Sequence, residues 1–122
     1  MRILVVDNDT GALNAIKVGL MSRRYEVSTA GSGEDALRII QSSGENNEPP
    51  DLLLTDMRLP GMTGLELIKS ARELMPDIRA ILMTAYGDDY VRNQAGKLGK
   101  CGYVDKPFSP GTLIRMIEER CD

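Results

Sequence analysis

Residues 52–56 read Leu52-Leu53-Leu54-Thr55-Asp56, three apolar side chains followed by a hydroxyl and a carboxylate. A short continuous apolar run suits a strand covered on both faces, as in a parallel sheet with helices above and below. Two other runs match it, Ile3-Leu4-Val5-Val6 and Ala80-Ile81-Leu82-Met83. Val27-Ser28-Thr29-Ala30 and Gly102-Tyr103-Val104-Asp105 are more polar and read as edge strands, which bury less.

Helical spacing fills the gaps between the runs. Leu13, Ile16 and Leu20 share a face, with Lys17 at its rim. Ala36, Leu37 and Ile40 mark a second helix. Leu65, Ile68, Ala71 and Met75 mark a third, stopped by Pro76. Asp88 is placed to cap a fourth, ending near Gly99. Ser109-Pro110 is a cap followed by a first-turn proline, opening a fifth helix with Leu113, Ile114 and Ile117. The polar stretch 43–50 ends in a double proline and reads as a loop. Five strands and five helices in alternation, joined by right-handed crossovers, make a doubly wound α/β sheet.

The chain has 122 residues, which suits one domain over 1–122. Eighteen acidic against fifteen basic residues give a net charge of −3. No basic block and only five aromatics, four Tyr and one Phe, argue against direct nucleic-acid binding. The absence of histidine excludes a Ser-His-Asp triad, a histidine-rich zinc site and the histidine side of a phosphorelay. Cys101 and Cys121 form no CxxC, and reduced thiols in the cytoplasm are expected. No apolar run is long enough for a membrane span, and the first residues carry no leader signature.

Ligands of doubly wound sheets bind beyond the carboxyl ends of the strands. The residues there are Asp7-Asn8-Asp9, Thr55-Asp56, Thr84-Ala85 and Lys106-Pro107. One aspartate at a strand end is ordinarily a cap or turn former. Acids after two separate buried strands repel one another and favour a divalent cation with oxygen ligands. Lys106 offers a compact charge for a phosphoryl oxygen, and Thr84 a hydroxyl. The peptide before Pro107 is a candidate for the cis form. Cation, lysine and hydroxyl together describe a holder for a phosphoryl group.

From end to end the chain resembles the receiver domains of two-component response regulators. The resemblance rests on Val6-Asp7-Asn8-Asp9, the segment from Leu54 to Gly64, Met83-Thr84-Ala85 and Tyr103-Val104-Asp105-Lys106-Pro107-Phe108. It implies a flavodoxin-like sheet of order 2-1-3-4-5. It implies that Asp56 accepts a phosphoryl group from a phosphohistidine of a sensor histidine kinase or histidine phosphotransfer protein. Asp7, Asn8, Asp56 and the backbone carbonyl of Arg58 would hold Mg2+, with Asp9 contributing through a water. Thr84 would be the switch hydroxyl, Lys106 the pairing lysine and Tyr103 the switch aromatic. The face made by the fourth helix, fifth strand and fifth helix would then control an output domain or a partner; Arg58-Leu59-Pro60-Gly61 resembles the loop of receivers on enhancer-binding transcription activators, which implies a transcriptional output. Homodimerisation on phosphorylation is plausible on the same face. Such a domain catalyses only its own phosphorylation and dephosphorylation.

The chain departs from the family at Asn8, where a second acid is usual. An amide oxygen coordinates without bringing charge, and two unit charges ~4 Å apart interact by about 4 kcal/mol at an effective dielectric of 20. Weaker magnesium binding is expected, with Asp9 as a compensating group. Arg58 and Tyr86 are expected to overhang the site and shield an acyl phosphate, or to point to solvent. Two rival readings follow from the same residues. Asp7-Asn8-Asp9-Thr10 also resembles the nucleophile loop of haloacid-dehalogenase-like phosphatases, with Asp7 as nucleophile. Asn8 alone is compatible with a pseudo-receiver that binds partners without phosphate.

Overall fold

The computed structural model describes residues 1–85 and 89–120. The strands are β1 (Arg2–Val6), β2 (Glu26–Ala30), β3 (Leu52–Asp56), β4 (Arg58–Leu59), β5 (Met62–Thr63), β6 (Arg79–Thr84) and β7 (Cys101–Asp105). The helices are α1 (Thr10–Met21), α2 (Gly33–Glu45), α3 (Gly64–Leu74), α4 (Asp89–Leu98) and α5 (Pro110–Arg120). Five strands form one parallel sheet in the order β2-β1-β3-β6-β7, while β4 and β5 form a two-residue antiparallel ribbon. Counted over the main sheet, this is the expected order 2-1-3-4-5.

Burial follows strand position. The three central strands are buried almost throughout, whereas β2 and β7 alternate, as edge strands do. Successive side chains point to opposite faces, so the core falls into two layers. Leu4, Val6, Leu53 and Leu82 pack toward α2, α3 and α4. Ile3, Val5, Leu54 and Ile81 pack toward α1 and α5. Leu53 and Leu54 are both 0% exposed. Burying each such leucine is worth about 1.5–3 kcal/mol against an exposed one, so this run anchors both layers.

Local chemistry sets the helix ends. Ser109 Oγ accepts from the Thr112 N–H at 3.2 Å, capping α5 just ahead of Pro110. Thr63 and Glu66 form a reciprocal capping box at the start of α3, which ends before Pro76. Gly99 follows α4 with φ +70°, the left-handed stop that glycine accepts most readily. Asp88, Tyr86 and Cys121 lie outside the described residues.

One expectation needs correction. Residues 43–45 belong to α2, not to a loop. Ser43 is partly buried, and its hydroxyl donates to the Ile40 carbonyl at 3.1 Å, so a polar side chain is accommodated within the helix. Termination comes later, at Asn46 and at Asn47 with φ +58°.

Candidate functional site

The register of the sheet levels its carboxyl ends. Val6 pairs with Thr55, Asp56 with Met83, and Thr84 with Asp105. Asp7, Asp56, Thr84 and Lys106 therefore leave the same edge. Asp7 continues directly from β1, its N–H donating to the Ala30 carbonyl at 3.1 Å. Its side chain is only 1% exposed. Asp56 ends β3 and its side chain is 14% exposed.

Lys106 joins the two. Its Nζ lies 2.9 Å from Asp7 Oδ2 and 3.3 Å from Asp56 Oδ2. Its backbone N–H donates to the Thr84 carbonyl at 2.6 Å, and the peptide to Pro107 is cis, as the sequence suggested. Burial by itself would lower the lysine pKa, but the hydrogen bond to Asp7 and the charges of Asp56 and Asp7 outweigh it, leaving the ammonium above its ordinary value. The pair of carboxylates thus holds a permanent cation at neutral pH.

Gly64 lets the site close from below. A Cβ there would collide with the backbone oxygen of Asp56 and would lie 2.7 Å from Leu82 Cδ1. The first turn of α3 can lie against the end of β3 only because this residue has no side chain. Met57 braces the same corner, with its N–H on the Met83 carbonyl at 2.8 Å and its carbonyl accepting from Gly64 at 2.7 Å.

The sequence placed two or three carboxylates here, and the structure brings together two. Asp9 is exposed, and its Oδ1 accepts from the Gly11 and Ala12 N–H groups at 2.9 and 3.2 Å, making it the N-cap of α1. Asn8 is exposed beside it. Among the described residues no cluster of three or more acidic, histidine or cysteine side chains is placed to hold a metal. The donors present are two carboxylates, an amide oxygen and backbone carbonyls, all hard oxygens. Magnesium commonly takes one or two carboxylates and completes its octahedron with water and phosphate oxygens, so this set fits it.

Thr84 is buried at the end of β6. Arg58 is exposed, and its N–H makes a long 3.5 Å contact with Asp56 Oδ1. A cavity of about 500 Å³ lies next to it, lined by Met57, Arg58, Met62, Thr84 and Val91 among others. Tyr103 is half-buried on β7. The Arg92 guanidinium carbon lies 5.1 Å from the Tyr103 ring centroid, and Arg92 Nη2 lies 3.9 Å from Asp105 Oδ2. The sequence reading missed Arg92; its place three residues into a helix next to an aromatic edge strand was the available signal.

Comparison with known proteins agrees with this geometry. The family model for the response regulator receiver domain matches residues 3–118. The sporulation initiation phosphotransferase F of Bacillus subtilis is 35% identical over 107 residues, 88% of this chain and 82% of that protein. The phosphate regulon transcriptional regulatory protein PhoB of Pseudomonas aeruginosa is 34% identical over 95% of this chain, which spans 49% of PhoB. For the transcriptional regulatory protein GlrR of Escherichia coli the identity is 31% over 96% of this chain, but the chain spans only 25% of that protein. A CheY-like receiver domain protein from Methanospirillum hungatei superposes with a TM-score of 0.87 at 34% identity, covering 98% of this chain and 91% of that one.

Proposed function

The chain belongs to the response regulator receiver family, and from that premise we propose that it is a phosphoacceptor switch working through Asp56. The observation that carries the reading is Lys106 Nζ held between Asp7 and Asp56 at one sheet edge. A carboxylate oxygen of Asp56 attacks the phosphorus of a phosphohistidine on a sensor kinase or phosphotransfer protein. The new P–O bond forms as the P–N bond breaks, and its electron pair stays on the departing imidazole nitrogen. Lys106 offers its ammonium to the phosphoryl oxygens, where negative charge must be balanced. Thr84 supplies a hydroxyl to the same group.

Asp7, Asn8, Asp56 and the Arg58 carbonyl are the residues that would hold Mg2+. When bound, it would supply positive charge that offsets the negative charge of the carboxylates and the phosphoryl group. The domain then catalyses only its own phosphorylation and dephosphorylation. The face of α4, β7 and α5 carries Arg92, Tyr103 and Asp105, and it is the surface on which the state of Asp56 is read by an output domain, a partner or a second copy. No described helix is long and apolar enough to cross a membrane. A cytoplasmic location follows from the proposed phosphodonor.

Intact mass after incubation with acetyl phosphate tests this, with and without magnesium, on the wild type and Asp56→Asn. A magnesium-dependent gain of one phosphoryl group, absent in the variant, is expected. No gain at any magnesium concentration would favour the pseudo-receiver, for which Asn8 is the supporting feature. Steady release of inorganic phosphate that survives Asp56→Asn but not Asp7→Asn would instead favour a phosphatase.

A further inference from the structure

Asp7 is almost fully buried, and a carboxylate in such a place has to be oriented as well as paired. Its two oxygens have separate duties. Oδ2 faces Lys106, while Oδ1 accepts from the backbone N–H of Asp9 at 3.0 Å. That N–H points inward because Asp9 sits in extended backbone, φ −91° and ψ 109°, at the entry to α1. The same residue's carboxylate fixes this conformation by accepting from Gly11 and Ala12. A side chain spent on two amides of its own helix is aimed along the chain, where sequence had suggested a water-mediated metal ligand.

We propose that Asp9 is a positioning residue, whose carboxylate caps α1 so that its own backbone N–H orients Asp7 for cation binding. The inference rests on the phosphoacceptor reading for its purpose and on the hydrogen bonds for its mechanism. What matters about the side chain is then an oxygen acceptor at the right distance, not its charge. Asparagine and serine cap helices about as well as aspartate, and alanine does not. Partners that orient a metal ligand typically change affinity on the order of 10–100-fold when removed.

The experiment is a calorimetric titration of magnesium into the wild type, Asp9→Asn, Asp9→Ser, Asp9→Ala and Ser32→Ala. Ser32 caps α2 through the Asp35 N–H, so its removal matches the loss of a cap at a helix that does not carry Asp7. Asp9→Ala is expected to weaken magnesium binding on the order of tenfold. Asp9→Asn and Asp9→Ser should stay within about twofold of the wild type, and Ser32→Ala should match the wild type. Equal weakening in all three Asp9 variants would show that the charge is what counts and would overturn the proposal. Unchanged affinity in Asp9→Ala, or a loss in Ser32→Ala as large as in Asp9→Ala, would overturn it too.

A second readout needs no metal. The Asp9 amide proton, bonded to a carboxylate, should resonate well downfield in the wild type and in the asparagine and serine variants. It should move upfield in Asp9→Ala. If the wild type binds no magnesium, the metal part of the functional reading fails, and this amide decides the positioning role by itself. An unmoved resonance in Asp9→Ala would end it.

Discussion

The two ends of the sheet solve the same problem in opposite ways. At the amino-terminal edge Arg72, from α3, turns its guanidinium onto backbone carbonyls. It reaches Ile78 at 3.3 and 3.2 Å, Leu98 at 2.6 Å and Lys100 at 3.1 Å. The cation is matched to neutral backbone carbonyls, of which that of Lys100 also accepts from the Ala80 N–H. At the carboxyl-terminal edge a single ammonium faces two carboxylates, Asp7 and Asp56. The first edge is a structural joint whose cation is already matched to carbonyls. The second keeps an excess of negative charge at its centre, so it suits exchange of a cation or a phosphoryl group.

The contrast is sharpest in Asp56→Asn. Phosphoryl gain should vanish from the mass spectrum, while resistance to denaturant stays the same or rises, because one carboxylate of a repelling pair is gone. A marked loss of stability would mean that Asp56 is structural. Arg72→Ala should do the reverse. It removes the arginine donors from three carbonyls, of which Lys100 keeps the Ala80 N–H, and should cost about 2 kcal/mol by denaturant titration, with the final extent of phosphorylation preserved. If phosphorylation were lost while the fold survived, the two edges would not be separable.

Lys106→Met lies between these extremes. Removing one partner of a buried pair costs about 3–5 kcal/mol. Water reaches this lysine, whose side chain is 29% exposed, so about 2 kcal/mol is expected at neutral pH. The sign of its pH dependence follows from the raised pKa. The lysine's contribution is complete below its ordinary value of 10.5 and fades as pH climbs through the higher folded-state value. The stability difference between wild type and Lys106→Met should therefore be flat from neutral pH up to that value and shrink above it. A difference that persisted unchanged above that value would contradict the assignment. The smallest effect expected is from Thr63→Ala, which opens the capping box of α3 and should cost about 1 kcal/mol.

Much of this was legible in the residues. The apolar runs gave the strands because each is only three or four residues long, too short for a buried helix, and lies between segments of helical period. The polar runs at Val27–Ala30 and Gly102–Asp105 marked the edges because edge strands bury less. Asp56 stood out because it closes an apolar run, and Lys106 because it follows a strand. Other features depend on what only a folded chain brings together. Arg72 meets Leu98 across 26 positions, and nothing around an arginine on a helix advertises a distant carbonyl. Asp9 is a similar case. Its type and place suited both a ligand and a cap, and only the direction of its carboxylate separates them. The last turn of α2 was missed because composition was read as a stop, whereas the backbone bond from the Asn46 N–H to the Ser42 carbonyl closes one more turn.

The Arg72 joint has a consequence for how the molecule breathes. One guanidinium ties the end of α3, the entry to β6 and the turn between α4 and β7. None of these can open without releasing bonds to the others. Proteins open in cooperative units, and a shared donor is one way to define such a unit. The three segments should accordingly exchange their amide protons with a common opening free energy in the wild type, and with separate ones in Arg72→Ala.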